Sequence, residues 1–196
     1  MLKDTGDKDS NAGGTDLKLA MMTRAAMMAA LTAVAAQIVI PFFPVPFTLQ
    51  VFAVVLAGFL LGPRYGALAM AIYLLIGMVG VPVFSEFRGG LGHLLGPTGG
   101  YLVSYPLAAA IAGLAAPAAA NAVRWRALMT SVLAGAVALV VIYALGMTWL
   151  MIVAQLPLLV ALAQGVLPFV AFDLIKVGLA AVVAVAAAPA IVPSRT

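Results

Sequence analysis

The stretch LPFVAFDLIKVGLAAVVAVAAA, residues 167–188, decides the fold class of this chain. Apart from Asp173 and Lys176, it contains only apolar residues, one glycine and one proline. About 20 apolar residues are enough for a helix to cross the roughly 30 Å of hydrocarbon in a bilayer. The stretch therefore predicts a transmembrane helix that carries two ionisable groups.

The rest of the chain has the same apolar composition. Of the 196 residues, 65% are hydrophobic and 8% are charged, and the mean hydropathy is +1.20. Soluble domains average about 45–50% apolar and about 25% charged residues, so a soluble domain is excluded. Eight of the 16 charged residues precede residue 25. We predict a polar, disordered tail at 1–23 and a single membrane domain at 24–192.

Proline, glycine and charge divide the membrane domain into apolar runs. Six runs predict six transmembrane helices, at 25–40, 48–61, 65–81, 101–120, 127–145 and 169–191. The connections 41–47, 82–100 and 146–168 would then lie on one side of the membrane. We expect an all-α integral membrane protein in which each helix crosses once.

Single basic residues between the runs predict the orientation. Because cytoplasmic loops are enriched in Lys and Arg, the side with more of them is the inner side. Six fall on the side of the N-terminus and only Arg88 on the other; the six are Lys18, Arg24, Arg64, Arg124, Arg126 and Arg195. We therefore expect both termini in the cytoplasm of a multi-pass plasma-membrane protein. The basic residues form no stripe with interleaved aromatics, so a nucleic-acid partner is not expected.

Asp173 and Lys176 are the first candidates for a functional site. They are three residues apart and therefore share a helix face. Ionisable groups at membrane depth cost at least about 2.5–3.5 kcal/mol each and usually face a ligand pathway. We interpret them as a ligand-binding pair, in which Asp173 accepts hydrogen bonds from N–H donors and Lys176 binds a carboxylate. A mutual salt bridge that only neutralises the two charges is the alternative.

The glycine-rich segment GGLGHLLGPTGGY, residues 89–101, is the second candidate. Glycine lets the backbone approach a ligand closely because it has no Cβ, and a threonine before a helix can cap its first N–H groups. The ligand-binding candidates in this segment are Gly90, Gly96, Thr98, Gly99, Gly100 and Tyr101. A flexible or re-entrant loop is the alternative. Arg88 precedes the segment and could bind an anion or pair with Glu86.

Other residues give weaker signals. Gln50, near the outer end of the second helix, could line a cavity or lie at the interface. Ala26 and Ala30 have the spacing that lets membrane helices pack closely. The sequence has no cysteine and a single histidine, His93, so we expect no zinc site built from thiolates or from several histidines, since such sites need several ligands. The sequence contains no G-K-[ST] and hence no P-loop, and we predict no cofactor.

Three motifs taken together resemble one family. PVPFTLQ at 44–50, the glycine-rich segment 89–101, and PF-x3-D-x2-K at 168–176 are similar to the motifs of BioY, the biotin-binding S component of energy-coupling-factor (ECF) transporters. The resemblance extends over residues 24–190. It implies a six-helix S-component bundle that captures biotin from outside. It also implies two kinds of partner, a transmembrane coupling (T) subunit and ABC-type ATPases, and docking of the T subunit at Ala26 and Ala30.

The resemblance also implies which groups meet the ligand. Asp173 suits the ureido N–H groups of biotin and Lys176 its carboxylate, with the reverse assignment left open. The sequence departs from the family pattern at residues 85–88, so Arg88 is a second candidate for the carboxylate. Aromatic side chains would wrap the ring system, and the candidates are Phe47, Phe84, Tyr101, Trp149 and Phe169.

Two other functions are weighed against a biotin S component. An S component for a different vitamin or small anionic metabolite would keep the topology and change the binding residues. A small intramembrane enzyme is less favoured, because catalysis needs a nucleophile with a base, or a metal. Asp173, Lys176 and one loop histidine supply neither, so we expect no enzymatic activity.

Overall fold

The computed structural model describes residues 6–116 and 123–191. Four of its helices are long and apolar enough to cross a membrane: Asp16–Gln37, Gln50–Met78, Arg124–Ala154 and Leu167–Ala187. The chain is therefore a mostly helical, multi-pass membrane protein. In chain order, the elements are α1 (Gly6–Gln37), β1 (Val39–Ile40), β2 (Phe47–Thr48), α2 (Gln50–Met78), a 3-10 turn (Ser85–Phe87), α3 (Leu91–Leu94), α4 (Gly99–Gly113), α5 (Arg124–Ala154), α6 (Leu158–Gly165) and α7 (Leu167–Ile191).

The chain reverses direction inside α2, at Gly62. This residue has φ +76° and ψ 178°, a conformation that glycine adopts readily, and Pro63 is suited to the first position of the next helical run. In a straight helix, Gln50 and Tyr73 would be about 34 Å apart at 1.5 Å per residue. Instead, Gln50 Nε2 donates a hydrogen bond to the Tyr73 hydroxyl at 2.7 Å. α2 is therefore a hairpin in which 50–61 and 63–78 run antiparallel.

The α2 hairpin forms the centre of the bundle. It packs against α1, α4 and α7, while α5 packs against α4 and α7. At the crossing of α2 and α4, a Cβ on Gly58 would collide with the Ala109 carbonyl oxygen, and a Cβ on Gly113 would collide with the backbone at Pro63. Small residues of this kind let membrane helices pack backbone to backbone.

Several helix boundaries differ from the predicted ones. α2 contains the predicted second and third helices, and α4 has only 15 described residues. For these reasons four helices rather than six meet the length and hydropathy of a span within residues 6–116 and 123–191. α5 continues to Ala154, past the predicted end at residue 145, because Gly146 packs against the Tyr101 ring instead of ending the helix. The predicted connection 146–168 is consequently mostly helical.

The N-terminal boundary also differs. α1 begins at Gly6, well before the expected start of the first helix at residue 25. Extending an existing helix adds one hydrogen bond for each residue ordered, whereas starting a new one is unfavourable. The membrane-spanning part of α1 can therefore propagate helix into a polar segment for which composition predicts disorder.

The first predicted helix ends earlier than expected and gives way to a short β-pair. α1 stops at Gln37, and Val39 and Ile40 pair antiparallel with Thr48 and Phe47. The prolines between them, Pro41, Pro44 and Pro46, cannot donate backbone hydrogen bonds. The pair closes this loop over the same end of the bundle at which α2 begins.

Candidate ligand-binding site

A cavity lies at the end of the bundle where α2, α4 and α7 begin. It encloses about 560 Å³ of space not filled by protein atoms, part of it open to solvent. Five of the predicted site residues line it: Gln50, Thr98, Tyr101, Asp173 and Lys176. Residues far apart in sequence therefore converge on one site.

Asp173 and Lys176 form the charged part of the cavity wall. Asp173 lies about 9 Å along α7 from its first residue, at 1.5 Å per residue. Its Oδ1 accepts a hydrogen bond from Lys176 Nζ at 2.7 Å, and its Oδ2 accepts one from the Tyr143 hydroxyl at 2.7 Å. The Asp173 side chain is 5% exposed and the Lys176 side chain is 16% exposed. The predicted alternative, a mutual salt bridge, is present, but it lines a cavity rather than packing against apolar side chains alone.

This pair keeps hydrogen-bonding capacity for a ligand. Lys176 Nζ also donates to the Thr48 carbonyl oxygen at 2.7 Å, and an ammonium has three donors. A carboxylate has about four lone-pair sites, and only two of those on Asp173 accept a hydrogen bond. The cavity wall therefore offers a donor and an acceptor side by side, with no net charge on the pair.

Gln50 is held by a chain of hydrogen bonds across the α2 hairpin. Its Nε2 donates to the Tyr73 hydroxyl at 2.7 Å, and that hydroxyl donates to the Val83 carbonyl oxygen at 3.2 Å. The Thr48 hydroxyl donates to Gln50 Oε1 at 2.9 Å. Gln50 is 3% exposed, so it is a buried lining residue rather than an interfacial one.

Aromatic side chains form the rest of the wall. Tyr101 and Phe169 line the cavity as predicted, and Tyr105 and Tyr143 join them. Phe47 packs behind Phe169, with ring centroids 4.2 Å apart. The hydroxyl of Tyr101 donates to the Gly165 carbonyl oxygen at 2.9 Å. Flat, partly polar rings of this kind suit a compact heterocycle.

The glycine-rich segment divides between lining and packing. Thr98 lines this cavity, and Gly96 lines a second cavity beside it. In contrast, a Cβ on Gly99 would collide with the Leu94 carbonyl oxygen, and a Cβ on Gly100 would collide with Trp149. Trp149 Nε1 donates to the Gly96 carbonyl oxygen at 2.9 Å, so its indole anchors this segment. Thr98 occupies the N-cap position of α4 without a side-chain capping bond, contrary to the predicted role.

Gly90 has a conformational role in the structure. It precedes α3 with φ +88°, a left-handed conformation that favours glycine. Its amide donates to the Gly77 carbonyl oxygen at 2.7 Å. The residue thus ties the start of α3 to the end of the α2 hairpin.

The second cavity, called the outer cavity below, adjoins the first, which is called the inner cavity. The two share Pro46, Ser85, His93 and Thr98, and the outer one is also lined by Arg88 and Glu86 among others. The Arg88 guanidinium pairs with the Glu86 carboxylate at 2.6 Å, and the Arg88 side chain is 62% exposed. The loop ion pair expected as an alternative is therefore present, at the rim of the site.

His93 lies between the two cavities. Its ring stacks on Phe84 with centroids 5.3 Å apart. Partial burial and then the nearby Arg88 cation lower the pKa of His93, and the Glu86 carboxylate opposes this shift. The imidazole is therefore neutral at pH 7. Phe84 itself is fully buried and supports the imidazole from behind.

The lining residues that sequence reasoning missed include Ser85, Tyr105 and Tyr143. Tyr143 bonds to Asp173 across 30 residues of chain, and its position inside an apolar run looks like that of any lipid-facing tyrosine. The available signal was that an intramembrane carboxylate needs a hydrogen-bond donor on a neighbouring helix.

Ala26 and Ala30 lie on the outward face of α1. Both are exposed, whereas Ala25 and Ala29 are buried in the bundle. The exposed pair leaves a shallow strip on a helix that packs against α2 on its other side.

These features define a class, the multi-pass membrane proteins with a candidate small-molecule site at one end of a helical bundle. The BioY family model matches residues 8–192. The chain belongs to the BioY family, which confirms the family inferred from the three motifs.

Individual relatives agree with this membership. The chain is 42% identical over 168 residues to the probable biotin transporter BioY of Pyrococcus horikoshii, covering 86% of this chain and 96% of the relative. It is 44% identical over 163 residues to the biotin transporter BioY of Thermotoga maritima, covering 83% and 92%. Its fold is similar to the crystal structure of the S component for biotin from an ECF-type ABC transporter. That match has a TM-score of 0.75 and 28% identity, and it covers 87% of this chain and 92% of the other.

Proposed function

We propose that this chain is the biotin-binding S component of an ECF-type transporter and captures biotin from the outer side of the plasma membrane. The observation that carries the proposal is the buried, charge-neutral Asp173–Lys176 pair in the wall of a cavity at the end of the bundle, in a chain of the BioY family. A T subunit and ABC-type ATPases would supply the energy, because the sequence has no P-loop. The exposed Ala26 and Ala30 strip is the proposed docking face for the T subunit.

The charge of the site supports one orientation of the ligand. A carboxylate next to the Asp173–Lys176 pair would leave a net negative charge in a buried place, which is costly. The neutral ureido group of biotin would add no charge, and its hydrogen-bond donors and acceptor match those of the pair. Its N–H groups would donate to Asp173, and its carbonyl oxygen would accept from Lys176. The tail would then extend outward, with its carboxylate at Arg88 rather than at Lys176.

Replacing Arg88 with alanine tests both the ligand and its orientation. We expect Arg88→Ala to weaken biotin binding by about tenfold, the loss of one charge-assisted hydrogen bond. Binding of biotinamide, which lacks the carboxylate, should change less than threefold. The measurement is competition against labelled biotin on the detergent-purified protein, with wild type and Arg124→Ala as controls, because Arg124 is an exposed arginine outside both cavities.

The results of this experiment distinguish the proposed function from the proposed orientation of the ligand. Failure of the wild type to bind biotin, or equal affinity for an unrelated vitamin such as thiamine, would contradict the proposed function. Equal weakening of biotin and biotinamide by Arg88→Ala would contradict only the orientation.

We also propose six membrane crossings with both termini in the cytoplasm. The reversal at Gly62 supports this topology, because the two halves of α2 lie antiparallel, and each half would form its own crossing. The Gly62 turn would be cytoplasmic, with Arg64 beside it, and the ligand cavity would open outward. The excess of basic residues on the inner side agrees with the same orientation.

Single-cysteine labelling tests the topology, and the chain is suited to it because it contains no cysteine. In intact cells, a membrane-impermeant maleimide should label Gly92→Cys, whose added side chain meets open space. Arg64→Cys should be labelled only after the membrane is permeabilised. If Arg64→Cys stays unlabelled even then, the Gly62 turn lies inside the bilayer, the α2 hairpin is re-entrant, and the six-span topology is wrong.

A further inference from the structure

Gln37, the last residue of α1, reaches out of its helix to the rim of the site. Its Nε2 donates to the Phe84 carbonyl oxygen at 3.0 Å and to that of Val83 at 3.5 Å. Its Oε1 accepts a hydrogen bond from the Phe87 amide at 2.9 Å. One amide side chain therefore holds both ends of the turn that contains residues 84–87.

This turn has a conformation that needs support. Glu86 has φ 60° and Phe87 has φ 55°, and a left-handed backbone is unfavourable for residues other than glycine. A bridge between Phe84 and Arg88 closes the turn. Phe87 is 72% exposed, so its side chain contributes little packing. The fully buried Phe84 side chain, packed against Tyr73, holds the start of the turn in the bundle, and the hydrogen bond from the Phe87 amide to Gln37 Oε1 holds its other end.

The turn carries the residues that face the outer cavity. Ser85 lines both cavities, and Glu86 and Arg88 line the outer one. The direction of the Arg88 side chain depends on the backbone from 84 to 88, because a left-handed residue sets the path of the chain that follows. Among the described residues, Gln37 forms no hydrogen bond with a residue that lines the inner cavity.

We propose that Gln37 is a positioning residue that holds the 84–88 turn so that Arg88 points at the anionic end of the bound ligand. Gln37 does not contact the ligand itself. It acts through its three hydrogen bonds to the backbone of Val83, Phe84 and Phe87, and it links α1 to the rim of the site. This inference rests on the proposed function, and it adds a residue outside both cavities to the determinants of ligand selectivity.

The test compares Gln37→Met, which keeps the length of the side chain and removes its hydrogen bonds, with the wild type. We expect Gln37→Met to raise the Kd for biotin about tenfold, the effect of losing the bonds that place one charged contact. The Kd for biotinamide should rise less than threefold. Gln164→Met is the matched control, because Gln164 is a half-buried glutamine in α6 outside both cavities, and it should leave both values unchanged.

A purely structural role would give a different result. If Gln37→Met weakened both ligands equally, or weakened neither, the positioning role would be overturned. The double variant Gln37→Met/Arg88→Ala adds a second check: it should bind biotin no more weakly than Arg88→Ala alone, because Gln37 acts through Arg88. Additive losses would contradict the proposal. Failure of the wild type to bind either ligand would instead overturn the proposed function.

Discussion

Replacing Lys176 with methionine should abolish measurable biotin binding and also lower the stability of the protein. The substitution leaves the Asp173 carboxylate, 4% exposed, without its cationic partner. Breaking a buried ion pair by removing one side typically costs about 3–5 kcal/mol. The measurements are equilibrium binding of labelled biotin and thermal unfolding followed by size-exclusion chromatography in detergent.

The double variant Asp173→Asn/Lys176→Met separates stability from binding. It removes both charges and keeps a hydrogen-bond acceptor for the Tyr143 hydroxyl. We expect it to recover most of the stability that Lys176→Met loses, because no buried charge is left unpaired. It should not recover binding. Recovery of both would mean that the pair is only structural, which was the alternative interpretation of these residues.

Replacing Gly58 with valine should prevent the bundle from assembling. A Cβ at this position would collide with the Ala109 carbonyl oxygen and would lie 2.8 Å from both the Ala112 Cβ and the Gly113 nitrogen. Two of these three contacts are to backbone, which cannot move aside as a side chain can. Overpacking in a close-packed interior costs about 1–3 kcal/mol or more, and here α4 would have to separate from α2.

Gly178→Val is the matched control for this substitution. Gly178 lies within α7, and a Cβ there meets open space. We expect Gly178→Val to purify as a monodisperse protein with a melting temperature close to that of the wild type, and Gly58→Val to be lost or aggregated on the same column. Similar behaviour of the two variants would contradict the close packing of α2 on α4.

The fold class and most helix positions could be predicted from the sequence because hydropathy and helix breakers act locally. The run that contains Asp173 and Lys176 needed only its composition to be identified as a helix. Breaks at Gly62-Pro63 and at the prolines of 41–46 were also visible, since glycine and proline restrict the backbone wherever they occur. The boundary at Gly146 was misplaced because whether a glycine ends a helix depends on what packs against it, here the Tyr101 ring.

The candidate site could be predicted only in part. Asp173, Lys176 and Gln50 were identified because a polar group in an apolar run carries an energetic cost. Tyr143 was not, because its role depends on α5 lying against α7. The glycines at 99 and 100 were assigned to the ligand, but they pack against Leu94 and Trp149. Glycine at these positions indicates that another group approaches the backbone closely. Only the tertiary structure shows whether that group is a ligand or another part of the chain.

In the proposed orientation of the ligand, the neutral head and the charged tail would meet two different ion pairs. The Asp173–Lys176 pair is buried and neutral overall, whereas the Arg88–Glu86 pair is at the rim and largely exposed. Exposed ion pairs contribute little stability, so Arg88 can exchange Glu86 for a ligand carboxylate at small cost. The buried pair need not open for a ureido group, because each partner keeps unused hydrogen-bonding capacity.

Titration of biotin into the purified wild type and into Asp173→Asn/Lys176→Met, followed by calorimetry, tests the central claim most directly. We predict saturable binding with one biotin per chain for the wild type, and no detectable binding for the double variant at an unchanged elution volume. Binding of biotin by the folded double variant with wild-type affinity, or no binding by the wild type, would contradict the claim that this pair holds the ligand.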